Sequence, residues 1–235
     1  MDGLRKVVLK KIRGILVVIQ FSTTVAITVL AMYMFRNHTH KVIKIWMKFQ
    51  MMVLGIKLDI EGELDESCDM VLVNHQSLLD IIVIEYLHSR NLAWVAKKEL
   101  TDLFFFGHII KAPRMISVDR ENKAGIIHLL KETKDRLSKG RPIAMFPEGT
   151  RSDGSKLLKF RPGAKMVANK YNLKVQPTLV FNTRKILDSK KVESAPGIVK
   201  VKFLKPVVAS KNTTWFEDLE EEMNRCYLSE TNKKS

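Results

Sequence analysis

The stretch MVLVNHQSLLD, residues 70–80, opens as a short apolar run and then sets a histidine, a serine and an aspartate within six residues. A few consecutive apolar residues bounded by polar ones are the pattern of a buried strand, and the residues that follow read as a loop feeding a helix. The same texture recurs after Gly62, where LAWVAK, MISV, PIAMF, VQPTLV and GIVKVKFL alternate with longer stretches of helical pattern. Helices are expected over residues 77–89, 122–139 and 162–171, and Thr213 or Thr214 can cap a last one running toward Leu228. Strands alternating with helices predict an α/β domain with a mixed, largely parallel sheet covered by helices.

The 235 residues, 46% of them hydrophobic, suffice for one sizeable core and a small appendage. Forty Lys and Arg against twenty-five Asp and Glu leave a net charge of +15, which favours nucleic acid, an anionic membrane surface or phosphorylated substrates as partners. Cys68 and Cys226 are far apart and form no ligand spacing, so neither a disulfide framework nor a metal site is expected. No repeat and no Gly-rich nucleotide fingerprint is present, and the polar tail TNKKS is the sole biased tract.

The N-terminus argues against a nucleic-acid binder. Residues 15–35 run for 21 positions without a charge, about the length that crosses a bilayer core. Arg5, Lys6, Lys10, Lys11 and Arg13 precede this run, and Arg36, Lys41, Lys44 and Lys48 follow it, so charge bias does not orient a single span. Next, Trp46, Phe49, Val53 and Ile56 share one helical face and Lys41, Lys44 and Lys48 another, as in a helix lying in the membrane interface. Two helices returning to the same side reconcile these charges; one plain span is the alternative. No A-x-A site follows the run, which speaks against a cleaved signal peptide. The expected organisation is a membrane-associated helical hairpin over residues 1–58 and an α/β domain over residues 59–235.

Ligands in such sheets gather beyond the carboxyl ends of the strands. Three of those ends carry unusual chemistry: MVLVN delivers His75, MISV delivers Asp119 and Arg120, and PIAMF delivers Pro147, Glu148, Gly149, Thr150 and Arg151. On a regular helix His75 and Asp80 would stand about 140° apart and could not touch. With His75 in the loop and Ser77 at the helix start, the Asp80 carboxylate can fold back and orient the imidazole as a base. The same Ser77-x-x-Asp80 spacing also reads as a capping box, in which Asp80 does no more than close the helix start.

Asn74-His75-Gln76-Ser77-Leu78-Leu79-Asp80, Val118-Asp119-Arg120, FPEGTRS at residues 146–152, Phe160-Arg161-Pro162-Gly163 and Val175-Gln176-Pro177 follow one another in order over residues 70–180. Together they resemble the glycerophospholipid acyltransferase family, and within it the 1-acylglycerol-3-phosphate acyltransferases. Two departures bear on substrate preference: Gln176 replaces a usually apolar residue, and Arg114-Met115 occupies a region often glycine-rich. The resemblance implies that His75 takes the proton from the sn-2 hydroxyl of a lysophospholipid as that oxygen attacks an acyl thioester, with Asp80 orienting His75. It implies that Arg120 and Arg151 grip the phosphate, that Lys97 and Arg161 add charge, and that Glu148, Gly149 and Thr150 shape the acceptor pocket. For Glu148 a structural ion pair with Arg151 or Arg120 is the competing reading.

The resemblance implies no bound cofactor and no metal. The acyl donor would be acyl-CoA or acyl-[acyl carrier protein], the latter a candidate partner, and the chain would sit at the cell membrane, peripheral or monotopic, with its catalytic domain on the cytoplasmic side. Backbone amides after His75, or a water, are the candidates for holding the oxyanion. The histidines at 38, 40, 88, 108 and 128 read as structural, and Phe104, Phe105 and Phe106 as core or membrane-facing surface. A hydrolase using Ser77 as nucleophile lacks the G-x-S-x-G elbow, and a non-catalytic adaptor leaves the charged strand ends unexplained.

Overall fold

A computed structural model describes residues 2–120 and 122–232, so the end of the TNKKS tail lies outside it. The chain begins with α1 (Asp2–Met34), a 3-10 turn (Arg36–His38) and α2 (Thr39–Val53). It continues through β1 (Ile56–Glu61), β2 (Met70–Val73), α3 (Leu79–Leu87), β3 (Ala93–Lys97), α4 (Lys98–Thr101), α5 (His108–Lys111), β4 (Ile116–Val118), α6 (Lys123–Ser138) and β5 (Ile143–Met145). The last part is α7 (Pro162–Tyr171), β6 (Lys174–Phe181), α8 (Thr183–Ile186), β7 (Leu187–Asp188), β8 (Glu193–Ser194), β9 (Gly197–Phe203), β10 (Val207–Val208) and α9 (Trp215–Asn232).

Strand β2 lies inside the sheet, whose order is β1-β9-β6-β2-β5-β3-β4, with β10 added beside β6. β6, β2, β5, β3 and β4 run parallel, whereas β9 opposes β6 and β1 follows β9. All four residues of β2 are buried, because alternate side chains feed different layers. Met70 and Leu72 join the core beneath α6, α7 and α9, while Val71 and Val73 join the core shared with α1, α2 and α3. Pro177 interrupts β6 without cost to pairing: β9 leaves at Thr178 and β10 takes over at Val175, so the missing N–H falls in the gap. The helix ends follow local chemistry. Asn122 caps α6 by accepting from the Ala124 N–H at 2.9 Å, Pro162 starts α7, and left-handed Asn172 ends it.

The N-terminal segment differs from its sequence reading in three places. Trp46 and Val53 do not share a lipid-facing stripe with Ile56: Trp46 packs on Phe21 of α1 at 5.1 Å and donates to Thr24 Oγ1 at 3.0 Å, and Ile56 begins a strand. Lys44 is not on an exposed basic face. Its ammonium caps the carboxyl end of α3, donating to the carbonyls of Glu85, Tyr86 and His88 at 2.5, 3.0 and 2.6 Å, where the helix dipole favours a cation. The third is β1, a strand where none was expected; it pairs with β9 along its whole length, and residue 58 lies within it.

The two helices pack as a hairpin, with Gln50 of α2 also donating to Thr24 Oγ1 at 3.0 Å and Arg13 reaching the Leu54 carbonyl at 2.8 Å. Residues Arg5–Met34 form a helix long and apolar enough to cross a membrane, with 28% of its most apolar window buried in the protein. Leu16, Ile19, Ile27, Leu30 and Met34 are each more than half exposed, an uncovered apolar stripe along α1.

Where α1 crosses β8, glycine is required: a Cβ on Gly14 would stand 2.0 Å from the Val192 carbonyl oxygen. Gly14→Leu is therefore expected to lower stability by about 1–3 kcal/mol, read as a fall in Tm. Gly3→Ala, with nothing within 4 Å, should be neutral or slightly stabilising in the same assay.

Candidate active site

The parallel strands deliver His75, Arg120 and the loop from Phe146 onward to one rim. Asn74 fixes the exit of β2, its amide exchanging hydrogen bonds of 3.0 and 2.7 Å with the backbone of Val180 on β6. The next residues turn around a single oxygen. Asp80 Oδ2 accepts from His75 Nδ1 at 2.8 Å and from the backbone N–H groups of Gln76 and Ser77 at 2.7 and 2.8 Å. Asp80 is fully buried, so its two sequence readings merge: it closes the helix start and holds the imidazole at once. An ionised carboxylate only accepts, so Nδ1 carries the proton and Nε2 presents its lone pair. Nε2 has no protein partner among the described residues. Phe146 stacks on the imidazole at 3.7 Å, nearly parallel, and Trp94 lies behind Phe146 at 5.1 Å.

Ser77 is not placed as a nucleophile. Its hydroxyl is buried, donates to the Leu187 carbonyl at 2.7 Å and accepts from the Leu79 N–H at 3.2 Å. The amides after His75 are likewise committed, since both point at Asp80, so they are not available for an oxyanion.

Glu148 does not make the ion pair with Arg151 or Arg120 that was its competing reading. It is 1% exposed and meets no arginine: Oε1 accepts the His75 N–H at 2.6 Å and Oε2 accepts the Leu158 N–H at 2.7 Å. Burial pushes its carboxyl up to about 7, against the pull of these two amide bonds. The Ser152 N–H donates to the His75 carbonyl at 2.8 Å, a further tie between the two motif loops. Tyr227 of α9 adds another, accepting from Gln76 Nε2 and donating to the Gly154 carbonyl, both at 2.7 Å. No local signal marked Tyr227, which lies 73 residues beyond Gly154. Phe146 stood in the motif, but its stacking on His75 depends on the pairing of β2 with β5.

The arginines separate. Arg120 donates to the Gly149 carbonyl at 2.5 Å, and the charges acting on it are Glu99 and Arg161; burial is the main cause that holds its guanidinium below the usual value. Gly149 takes φ +72, and a Cβ there would approach Arg120 Nη1 at 3.1 Å and Arg161 Cγ at 3.3 Å, so glycine leaves room between the Arg120 guanidinium and the aliphatic stem of Arg161. The Thr150 N–H that follows has no acceptor among the described residues. Arg151 extends instead to Ser189, between β7 and β8, at 3.2 Å. Lys97 pairs with Glu99 at 2.7 Å.

Four comparisons bear on this site. The acyltransferase family profile matches residues 65–180. The chain is 42% identical over 176 residues to the 1-acyl-sn-glycerol-3-phosphate acyltransferase of Helicobacter pylori, a match covering 74% of each protein. It is 32% identical over 114 residues to the lyso-ornithine lipid O-acyltransferase of Rhizobium meliloti, covering 48% of this chain and 38% of that protein. The crystal structure of the 1-acyl-sn-glycerophosphate acyltransferase of Thermotoga maritima superposes with a TM-score of 0.71 over 99% of this chain and 97% of that one, at 24% identity.

Glu148→Gln should lower kcat about 100-fold with little change in acceptor KM, because a side-chain amide offers one acceptor to two N–H donors and lets the His75 backbone shift. A rise in KM at constant kcat would make Glu148 an acceptor-binding group instead. The folded state also holds the Glu148 proton more tightly than the unfolded chain, so stability should fall as pH rises from about 4.5 to about 7. Urea midpoints across that range should show a shallower slope in Glu148→Gln; Glu85, also pushed up to about 7 by burial, supplies the slope that remains.

Proposed function

This chain belongs to the acyltransferase family, with the 1-acyl-sn-glycerol-3-phosphate acyltransferases, and we propose that it moves an acyl group from a thioester to the sn-2 hydroxyl of 1-acylglycerol 3-phosphate, forming phosphatidic acid. The observation that carries the reading is His75, whose Nδ1 is held by Asp80 while Nε2, without a partner among the described residues, stands at the rim that carries Arg120. Nε2 takes the hydroxyl proton as the oxygen attacks the thioester carbonyl, the thiolate leaves, and no acyl-enzyme forms. Arg120 binds the phosphate, Arg161 adds its charge beside Gly149, the Thr150 N–H supplies a further donor, and Arg151 joins them by turning its side chain away from Ser189. Lys97 contributes to the positive field of the rim. The donor is acyl-CoA or acyl-[acyl carrier protein].

The hairpin α1–α2 holds the enzyme at the membrane as a monotopic anchor, with the catalytic domain on the cytoplasmic side. Its apolar stripe faces lipid, and basic residues at both ends of α1 draw it to anionic headgroups. Because α1 and α2 also cover the core and lead into β1, the two-helix segment of residues 1–58 is built into the catalytic domain rather than hung from it.

The lyso-ornithine relative supports a second reading, an acceptor without a phosphomonoester. Incubating the purified enzyme with labelled acyl-CoA or acyl carrier protein and a panel of lysolipids separates the two. Lysophosphatidic acid should be strongly preferred, and equal use of a lysolipid lacking the phosphomonoester would overturn the phosphate assignment. His75→Ala should lose about 10²- to 10⁴-fold in kcat while remaining folded. Arg120→Ala and Arg151→Ala should each raise KM for lysophosphatidic acid about 10- to 100-fold, with Arg161→Ala in the same direction. Replacing Ile19, Ile27 and Leu30 together by Lys should release the protein from vesicles, since all three are well exposed on α1 and their loss cuts no core. Full co-sedimentation of that variant would place the membrane contact elsewhere.

A further inference from the structure

At the turn of the hairpin lies a cavity of about 540 Å³ whose lining includes Arg36, Asn91, Lys111, Arg114, Lys139 and Arg141 and, among the described residues, no acidic one. It opens at the amino ends of β3, β4 and β5, which Asn91, Arg114 and Arg141 each precede by two residues, whereas His75, Arg120 and Glu148 follow the carboxyl ends of their strands. It is therefore separate from the catalytic rim. Arg141 is a fixed positive charge in its wall: the guanidinium is buried and donates to the carbonyls of Asn91, Leu92 and Pro113 at 3.2, 2.9 and 3.0 Å. Lys139 is held by Asp135 at 2.7 Å. Arg36, Lys111 and Arg114 have no carboxylate partner among the described residues, so three cations converge on one cavity without counter-charge.

Arg114 adds a second observation. It takes φ +55, the left-handed conformation that favours glycine, and its carbonyl is pinned by Arg136 Nε at 2.8 Å and Arg141 Nη1 at 3.2 Å. The surroundings of the cavity are apolar. Leu30 and Met34 at the end of α1 and Phe35 just after it stand in the open, and the Tyr33 hydroxyl meets His108 Nδ1 at 2.7 Å, tying α1 to the segment that exposes Phe104 almost completely. Cations beside bare apolar surface match an anionic headgroup whose acyl chains lie along the helix; a free phosphate would not use the apolar part.

We propose that this cavity is a second lipid site, binding the phosphate of an anionic phospholipid at the hairpin turn, away from the acyl-transfer centre. The proposal rests on the reading of α1 as lipid-facing. Full-length protein is placed in phosphatidylcholine nanodiscs doped with phosphatidylglycerol, and the lipid retained is counted by native mass spectrometry. Wild type should retain phosphatidylglycerol over phosphatidylcholine, and the preference should weaken with added salt. Arg36→Gln/Lys111→Gln/Arg114→Gln should bind it roughly 100-fold more weakly, about fivefold for each charge removed.

Arg114→Gly should raise Tm by relieving the left-handed turn and yet bind phosphatidylglycerol about fivefold more weakly, a pairing that misfolding cannot mimic. His75→Ala and Arg120→Ala should retain the lipid as wild type does. Acyl transfer to a short-chain soluble acceptor should persist in the triple variant, and its absence in wild type would count against the proposed reaction rather than against this site. Equal retention of both lipids by wild type, loss of retention in Arg120→Ala, or displacement by equimolar glycerol 3-phosphate would each overturn the proposal.

Discussion

Strand β2 is paired in parallel with β5 on one edge and β6 on the other, and its side chains are buried on both faces. No one-residue slip is tolerated, because either register would still have to bury four apolar side chains while moving Asn74 off the Val180 backbone. That constraint carries His75 to the same rim as the loop leaving β5. The stacking of His75 on Phe146 and the amide bond from His75 to Glu148 follow from the alignment of these two strands.

Within the rim, buried carboxylates do the positioning. Asp80 gathers an imidazole N–H and two backbone N–H groups onto one oxygen, and Glu148 bridges the His75 and Leu158 amides. A buried charge without partners would be costly, and hydrogen bonding to fixed dipoles is what makes these positions tolerable. The two groups still differ. Asp80 orients the His75 imidazole directly, whereas Glu148 acts through the backbone of His75, and burial holds its proton longer than that of an ordinary carboxyl.

The hairpin links the core to the surface. Thr24, Trp46 and Gln50 join α1 to α2, Lys44 joins α2 to α3, and Arg13 and Gly14 join α1 to the segments beside the rim. One side of α1 thus belongs to the protein interior and the other remains apolar and bare. Such a helix can be apolar on its outer face and still be built into the domain that it joins.

The sequence by itself determined the layered α/β architecture, most strands and long helices, the nearness of Asp80 to His75 in either a catalytic or a capping role, and the family to which the motifs belong. Each is written in contiguous residues: a two-residue period, a cap, or a loop short enough for a side chain to fold back. The strand β1 was hidden because IKLDIE is half charged and gains its place only from β9, some 140 residues later. The partners of Glu148 and Lys44 were hidden for a related reason. A charged side chain carries no mark of whether it will meet an opposite charge or the exposed dipoles of a backbone, and only the packing of distant segments decides which of these comes within 3 Å. The same holds for the arginines: three stood near in sequence to the motifs, and the tertiary fold set Arg161 beside Arg120 and sent Arg151 to Ser189.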